Sequence, residues 1–332
     1  MTAASATPVL AVDDLTKRFR ARRGVVQAFE RVSFAIAPGE TLGLVGESGC
    51  GKTSLAKTVF RLLEPDEGQI LLDGIDISHV SRRTLRPQRE RMQMVFQDPY
   101  GSLNPRSRVG RILEEPLIVH GRGTRAVRRE RVRWLIQRVG LSEDALQRYP
   151  HEFSGGQRQR IGIARALALT PRLLICDEPV SALDVSIQAQ ILNLLAEIKQ
   201  AFGLAYLFIS HDLAVVRLVA DRVMVMYLGR IVEVAESAAL WARPMHPYTR
   251  ALMSAAPVPD PDAGGEGRIL LDGDPPSPFD PPPGCRFHTR CRYATEICRT
   301  AQPPLRRIGT TASWIACHHV HGDHLESLQI PS

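Results

Sequence analysis

Residues 46–53 form a glycine-rich segment whose spacing is typical of phosphate binding. Glycines let backbone N–H groups turn inward around phosphate oxygens, and the amino terminus of a following helix favours an anion. Lys52 is expected to reach the β- and γ-phosphates of a nucleotide, and Thr53 to bind Mg²⁺ through its hydroxyl. The segment therefore predicts a nucleoside triphosphate site. Its members are Gly46, Glu47, Ser48, Gly49, Cys50, Gly51, Lys52 and Thr53.

Two carboxylates follow an apolar run at residues 173–176, which is where a triphosphate site needs them. Ligands of parallel sheets bind at the carboxyl ends of the strands. We expect Asp177 to hold Mg²⁺, directly or through water, and Glu178 to orient and deprotonate the attacking water. An Asp-Glu pair alone is a solvated turn about as often as a site, and the phosphate-binding segment decides for the functional interpretation.

The elements that must position these residues alternate between strand and helix. Continuous apolar runs predict buried strands, and apolar residues at 3-4 spacing predict helices. This alternation indicates an α/β fold with a parallel sheet covered on both faces. Residues 103–168 are expected to be mainly helical. The predicted strands are 9–12, 32–36, 41–45, 69–72, 92–96, 173–176 and 205–209, and the clearest helices are 54–63, 130–139 and 187–202.

Charge and hydropathy limit the possible binding partners and the location of the protein. The formal net charge is +7, and basic residues cluster at 82–91, 122–133 and 286–299. Nucleic acid, an anionic membrane face or simply a basic solvated surface could account for this excess. No run of about 18 apolar residues is present to span a bilayer, and residues 1–5 lack the order of a signal peptide. We expect a cytoplasmic protein that reaches a membrane only through a partner.

Several short motifs stand in one characteristic order along the chain. Residues 153–157, Phe-Ser-Gly-Gly-Gln, resemble the signature of ABC transporter ATPases, with Phe in place of the common Leu. Gln97 precedes the signature, and Asp184 and His211 follow it. The chain from about residue 8 to 245 therefore resembles an ABC transporter ATPase. The resemblance implies a P-loop NTPase core of RecA-like type with a parallel sheet and an inserted α-helical signature subdomain.

The resemblance also implies roles for individual residues. Two subunits would pair head to tail, and each ATP would lie between the phosphate loop of one subunit and the signature of the other. His211 would contact the γ-phosphate, Gln97 would help to place Mg²⁺ and water, and Phe19 would stack on adenine. Mg²⁺ would be held by Thr53, Gln97 and Asp177. The implied contacts across the dimer are Ser154, Gly155, Gly156, Gln157 and Asp184.

The C-terminal part narrows the resemblance to one group of importers. Residues 246–249 (His-Pro-Tyr-Thr), 95–105 and 273–278 resemble the F-type ATPase of the dipeptide/oligopeptide permeases. This resemblance implies import of peptides, although related importers carry nickel, glutathione or opines. The implied partners are a second ATPase subunit, favoured to be a distinct D-type paralogue, two permease subunits and a periplasmic or extracellular peptide-binding protein. The chain would lie at the cytoplasmic face of the inner membrane and would not bind nucleic acid.

These resemblances predict three structural regions. Residues 1–97 and 166–245 would form the ATPase core with its N-terminal β subdomain, and residues 98–165 the helical signature subdomain. Residues 246–332 would form a small, irregular, cysteine-rich C-terminal domain. Because prolines are frequent there and large apolar residues are few, we expect this domain to fold poorly on apolar burial alone.

Four of the six cysteines crowd this C-terminal domain, at Cys285, Cys291, Cys298 and Cys317. Zinc modules usually contain cysteines paired two to four residues apart, and that pairing is missing here. Four spread thiolates suit a 4Fe–4S cluster, which is reported in some of the importer tails that this one resembles. Zinc, with His288 or His318 as further ligands, and unligated or disulfide-bonded thiols remain the alternatives.

Two other functions fit parts of the pattern. A soluble ABC ATPase acting on nucleic acid or ribosomes would suit the basic charge, but such proteins typically contain two cassettes or long insertions. This chain has one phosphate loop and one signature. An exporter subunit is disfavoured because no membrane segment is fused to the ATPase and the tail resembles that of importers.

Overall fold

The computed structural model describes residues 7–21, 24–98, 100–255, 269–271, 273–308, 313–321 and 324–325. The chain divides into two compact units. The first unit comprises residues 1–11, 35–41 and 70–209, and the second comprises residues 12–34, 42–69 and 210–332. No helix in the described ranges has the length and apolar character needed to cross a membrane.

The described strands, in chain order, are β1 (Leu10–Ala21), β2 (Gly24–Ile36), β3 (Thr41–Val45), β4 (Glu67–Leu72), β5 (Ile75–Asp76), β6 (Met92–Val95), β7 (Leu173–Asp177), β8 (Ala205–Ile209), β9 (Arg222–Tyr227), β10 (Arg230–Glu236), β11 (Arg306–Ile308), β12 (Ser313–Ile315), β13 (Val320–His321) and β14 (His324–Leu325).

The described α-helices are α1 (Lys52–Val59), α2 (Arg82–Gln88), α3 (Val109–Val119), α4 (Arg125–Arg138), α5 (Gly155–Ala166), α6 (Val185–Phe202), α7 (Leu213–Val219), α8 (Ser237–Ala242), α9 (Pro247–Ser254) and α10 (Glu296–Thr300). Short 3-10 helices lie at Glu143–Gln147, Pro150–Glu152 and His288–Arg290.

In the first unit, three parallel strands stand side by side in the order β8-β7-β6. The register pairs Val95 with Cys176 and Asp177 with Ile209. Every residue of β7 and β8 is buried, which is why both strands are continuous apolar runs rather than alternating ones. The parallel arrangement places the residues that follow β6 and β7 at the same edge of the sheet. The helices α3, α4 and α5 pack on one another in the same unit.

In the second unit, β3 lies parallel to β9, with Leu44 opposite Met224. The strands β9 and β10 form an antiparallel hairpin closed by Tyr227 and Arg230. The helix α1 follows β3 after a loop of six residues, 46–51. This strand–loop–helix order is the context that a phosphate-binding loop requires.

The predicted elements agree with the structure most closely where strands are buried. The strands β3 and β8 begin and end at the predicted residues. The helix predicted at 54–63 is α1, which begins at Lys52 and ends at Val59. It ends early because Arg61 has a φ of 58°, a left-handed conformation that a helix cannot continue through. The helices α3, α4 and α5 confirm the helical prediction for residues 103–168.

The C-terminal part is more regular than predicted. It contains the helix α9, and its strand β12 pairs antiparallel with both β10 and β11. A small buried cluster supports it, made of Met245, Ile308, Ile315, Cys317 and Val320. These regular segments are short, and the other described residues of the tail are mainly irregular, as expected. Strands of three residues are too short to show a period in the sequence. The prolines Pro257, Pro259 and Pro261 lie outside the described residues.

Candidate nucleotide-binding site

The loop between β3 and α1 depends on glycine at positions where no other residue fits. Gly51 has a φ of 110°, and a Cβ built on it would lie 2.2 Å from the carbonyl oxygen of Ala28. A Cβ on Gly46 would lie 2.2 Å from the carbonyl oxygen of Met226. Both contacts are with backbone atoms, which cannot move aside cheaply. The loop therefore packs directly against its neighbouring backbone and keeps the tight turn that phosphate binding needs.

The lysine at the end of the loop points back into it. Lys52 is only 5% exposed, and its Nζ donates to the carbonyl oxygens of Gly46 at 2.8 Å and Glu47 at 2.9 Å. The ammonium group therefore lies inside the curve of the loop, beside the first turn of α1, where Thr53 is half-buried. A helix amino terminus and a buried cation together form a strong anion-binding arrangement.

In the first unit, the structure brings Gln97 and Glu178 together. The Nε2 atom of Gln97 donates to Oε2 of Glu178 at 2.8 Å. Glu178 directly follows β7 and has a φ of 47°, while Asp177 is the last residue of β7 and is 2% exposed. A buried carboxylate, an amide and a second carboxylate thus occupy one edge of the parallel strands. Oxygen donors of these kinds suit Mg²⁺.

The signature residues lie at the start of α5. Ser154 is the N-cap, and its Oγ accepts from Gln157 N at 3.4 Å while Gln157 Oε1 accepts from Ser154 N at 3.0 Å. This capping box fixes the first turn of the helix. Gly156 is required by packing, because a Cβ there would lie 2.5 Å from Cγ2 of Ile187. Ser154 and Gln157 remain exposed, so this helix amino terminus is accessible from outside the chain.

The remaining predicted contacts lie on exposed or half-buried positions. Asp184 is the exposed N-cap of α6. His211 is exposed, and the neighbouring Ser210 N donates to the carbonyl oxygen of Leu44 at 3.2 Å, which holds this segment beside β3 in the second unit. Phe19 lies half-buried on β1, with Nζ of Lys17 5.6 Å from the centre of its ring.

The four tail cysteines are near one another but do not form a metal centre. Burial, with a smaller contribution from the neighbouring Cys317 and Cys298, raises the pKa of Cys285 to about 11 and that of Cys291 to about 12. Among the described residues, which include all four thiols, no group of three or more His, Cys, Asp or Glu side chains could hold a metal ion. The predicted iron–sulfur cluster therefore finds no support.

The histidines considered as zinc ligands each have one ring nitrogen close to a backbone carbonyl oxygen. The Nδ1 atom of His288 lies 2.9 Å from the carbonyl oxygen of Cys285, and Nε2 of His318 lies 2.9 Å from that of Ala301. The Sγ atom of Cys298 lies 3.3 Å from Nε2 of His319, which the sequence did not single out. Each of these contacts uses one ring nitrogen, and a metal-bound histidine commonly makes such a contact with its second nitrogen. The zinc alternative is unsupported because the described residues contain no group of three or more His, Cys, Asp or Glu side chains that could hold a metal ion.

Sequence reasoning missed the residues that hold Glu47 in the phosphate loop. The Oη atom of Tyr248 accepts from Glu47 N at 2.9 Å. The Nη1 atom of Arg290 donates to Oε1 and Oε2 of Glu47 at 3.2 and 2.9 Å. These partners lie 201 and 243 positions away along the chain. No local pattern could have indicated them.

Comparisons with known proteins agree with the motifs. A family model for ABC transporters matches residues 29–181, and a model for the oligopeptide/dipeptide transporter C-terminal region matches residues 232–298. The solved dimeric structure of MJ0796, a bacterial ABC transporter cassette, is 28% identical and has a TM-score of 0.64. It covers 69% of this chain, which in turn covers 98% of MJ0796. This likeness confirms the predicted P-loop NTPase fold class.

Relatives with much higher identity extend along nearly the whole chain. A peptide import ATP-binding protein of Brucella ovis is 57% identical over 302 residues, which is 91% of this chain and 95% of the relative. The oligopeptide transport protein AppF of Bacillus subtilis is 51% identical, over 96% of this chain and 99% of its own length. The chain belongs to the ABC transporter ATP-binding proteins that carry the oligopeptide/dipeptide transporter C-terminal region.

Proposed function

We propose that this chain is the ATP-hydrolysing subunit of an importer that takes up peptides. One observation carries the proposal. The relatives named for peptide, oligopeptide and di/tripeptide import are 49–57% identical to this chain, and the aligned parts cover 91–96% of it. The similarity therefore includes the C-terminal region as well as the ATPase.

In this proposal the phosphate loop holds the triphosphate of ATP. The backbone N–H groups of residues 46–51 face the phosphates, and Lys52 neutralises the β- and γ-phosphates. Thr53, Gln97 and Asp177 hold Mg²⁺, which neutralises charge that builds up on the phosphate oxygens. Phe19 stacks against the adenine. No metal is assigned to the tail cysteines.

Hydrolysis then requires a base, a group that orients the base and the attacking water, and a group that stabilises charge on the γ-phosphate. Glu178 accepts a proton from a water molecule while the water oxygen attacks the γ-phosphorus, and the bond to the β–γ bridging oxygen breaks to release ADP and phosphate. Gln97 holds the carboxylate of Glu178 through the 2.8 Å hydrogen bond and orients the water. His211 donates to the γ-phosphate oxygens and stabilises their developing charge.

The ATP site is shared with a second ATPase subunit, favoured to be a distinct paralogue. The partner-facing groups are Ser154, Gly155, Gly156, Gln157 and Asp184. The exposure of three of these residues supports this assignment, because Ser154, Gln157 and Asp184 are solvent-accessible at two helix amino termini. The related cassette MJ0796 has been solved as a dimer.

The proposed import function implies further protein partners. Two permease subunits would bind the chain at the cytoplasmic face of the inner membrane, near Gln97, and a peptide-binding protein would deliver the substrate. We assign residues 1–97 and 166–245 to the ATPase core, 98–165 to the signature subdomain and 246–332 to the C-terminal domain.

Uptake by living cells tests this function. A strain of the source organism that lacks the chain is expected to lose uptake of labelled di- and oligopeptides. Wild-type protein is expected to restore it, whereas Glu178→Gln, produced at equal level, is not. Labelled nickel and glutathione serve as parallel substrates. Unchanged peptide uptake together with lost nickel or glutathione uptake would assign the importer to the other substrate.

A further inference from the structure

The tail segment that contains Cys285 and Cys291 reaches the phosphate loop through an arginine between them. Arg290 is only 8% exposed, and its Nη1 atom lies 2.9 Å from Oε2 of Glu47, the second residue of the loop. Both residues belong to the second unit. An arginine–carboxylate pair in which one partner is buried is held in one geometry, unlike exposed surface pairs.

The backbone of Glu47 is held by the same region. Its N–H donates to Oη of Tyr248 at 2.9 Å. The Tyr248 ring packs against Tyr227 and Phe287, with ring centres 4.7 and 5.5 Å away. All three rings are almost fully buried. The start of the phosphate loop therefore rests on a rigid aromatic cluster, and Phe287 lies in the tail segment itself.

A second arginine reaches the other end of the loop. The guanidinium of Arg286 donates to the carbonyl oxygen of Leu228 and pairs with Oε2 of Glu30 at 2.6 Å. The next residue of that turn, Gly229, donates its N–H to the carbonyl oxygen of Cys50 at 2.8 Å. Residues 286–290 thus hold the loop at Glu47 directly and at Cys50 through one intermediate turn.

Glu47 places a negative charge within a loop whose ligand is a polyanion. A bare carboxylate at this position would repel the phosphates, since like charges interact strongly near a partly buried surface. We propose that Arg290 is a positioning residue for nucleoside triphosphate binding, which neutralises Glu47 and couples the packing of tail residues 285–291 to the nucleotide affinity of the loop. This inference rests on the proposed ATP site at residues 46–53.

A charge-rescue cycle on the full-length chain tests the inference, with the Kd for MgATP measured by calorimetry. Arg290→Ala is expected to weaken binding about 5- to 10-fold, because the carboxylate of Glu47 is then unpaired. Glu47→Gln is expected to bind at least as tightly as wild type. The double variant Arg290→Ala/Glu47→Gln is expected to return to within about twofold of wild type, since no bare charge remains.

Two further variants complete the cycle. Arg292→Ala removes an exposed arginine directly after residues 285–291, which lies over the Tyr293 ring, and is expected to leave the Kd unchanged. Arg290→Gln replaces the alanine variant if that one does not fold. In ATPase assays we expect Arg290→Ala to raise the KM for ATP and to leave kcat nearly unchanged. The increase in KM is expected to be smaller at high salt.

The outcomes separate the inference from the proposed function. A double variant that binds as weakly as Arg290→Ala would show that Arg290 only supports the tail fold, and the inference would be overturned. Wild-type affinity in Arg290→Ala would overturn it as well. If the wild-type chain itself bound no MgATP, the proposed ATP site would fail first, and the inference with it.

Discussion

The Nε2 atom of Gln97 donates to Oε2 of Glu178 at 2.8 Å, across 81 positions of the chain. The backbone of Glu178 is held as well, because its N–H donates to the carbonyl oxygen of Ile209 at 2.9 Å. Its φ of 47° is unusual for a residue with a side chain and costs on the order of 1 kcal/mol. The surrounding structure therefore holds this carboxylate in a single orientation, as expected of a group that must meet a water molecule.

We predict that Glu178→Gln binds ATP but hydrolyses it at least about 10²-fold more slowly, because the amide cannot accept the proton of the attacking water. The measurement is phosphate release by the assembled transporter, alongside nucleotide binding to the purified chain. Gln97→Ala is the comparison variant, because it keeps the carboxylate but removes the hydrogen bond to Glu178 together with the proposed contacts of Gln97 to Mg²⁺ and water. Near-normal turnover in Glu178→Gln would contradict the role of the base.

Lys52→Ala is expected to act at the binding step. The Nζ atom of Lys52 lies within the loop and donates to the carbonyl oxygens of Gly46 and Glu47, so the substitution removes the cation that we propose to face the phosphates. We expect ATP affinity to fall about tenfold or more. Lys57→Ala, on the same helix but outside the loop, is the control. Equal affinities in the two variants would exclude phosphate binding by Lys52.

Gly51→Ala is expected to distort the loop. The new Cβ would lie 2.2 Å from the carbonyl oxygen of Ala28, and the φ of 110° already disfavours a side chain. Strain of this kind costs about 1–3 kcal/mol, so the thermal midpoint is expected to fall by several degrees and ATP is expected to raise it less than in wild type. Gly39→Ala is the comparison variant, because its φ of 72° also disfavours a side chain while a Cβ there meets no atom within 4 Å, so it separates backbone strain from the clash in the loop. The prediction would be contradicted if Gly51→Ala and Gly39→Ala had similar thermal midpoints and ATP raised both midpoints equally.

His246 is expected to make the protein less stable in acid. It is 1% exposed, and burial lowers its pKa from 6.5 to about 3. Its neutral ring accepts from Tyr248 N at 3.1 Å, which caps α9. The unfolded chain binds a proton at this histidine below about pH 6.5, whereas the folded chain does so only near pH 3. The free energy of unfolding therefore falls as the pH falls through that window, by about 1.4 kcal/mol per pH unit.

The urea midpoint at pH 7.5 and at pH 5.5 checks this pH dependence. We expect His246→Gln to lose less stability than wild type between the two values, because glutamine does not titrate. Glu233 is a buried carboxylate that accepts from His246 N at 2.9 Å. It is present in both proteins, so its contribution to the pH dependence of stability largely cancels when wild type and His246→Gln are compared. The exposed His79 provides the control substitution His79→Gln. Equal acid sensitivity of His246→Gln and wild type would refute the assignment.

The sequence by itself determined the features that depend on local chemistry. The loop from Gly46 to Thr53 could be recognised because its glycines, lysine and hydroxyl lie within eight consecutive residues. The strands β3 and β8 were predicted to the residue, since burial on both faces demands an unbroken apolar run. Glu178 was selected from its place after a predicted strand, whereas Gln97 was selected from the order of motifs that resembles ABC transporter ATPases.

Only the tertiary structure decided which distant residues meet. Nothing near Glu47 in the chain indicates Arg290, 243 positions away, and the spacing of the tail cysteines predicted a metal centre that the described side chains do not form. The strands β11 and β12 contain three residues each, too few for a periodic pattern. Side-chain hydrogen bonds and small buried clusters depend on distances set by the whole fold, whereas periodicity and loop motifs depend only on neighbours along the chain.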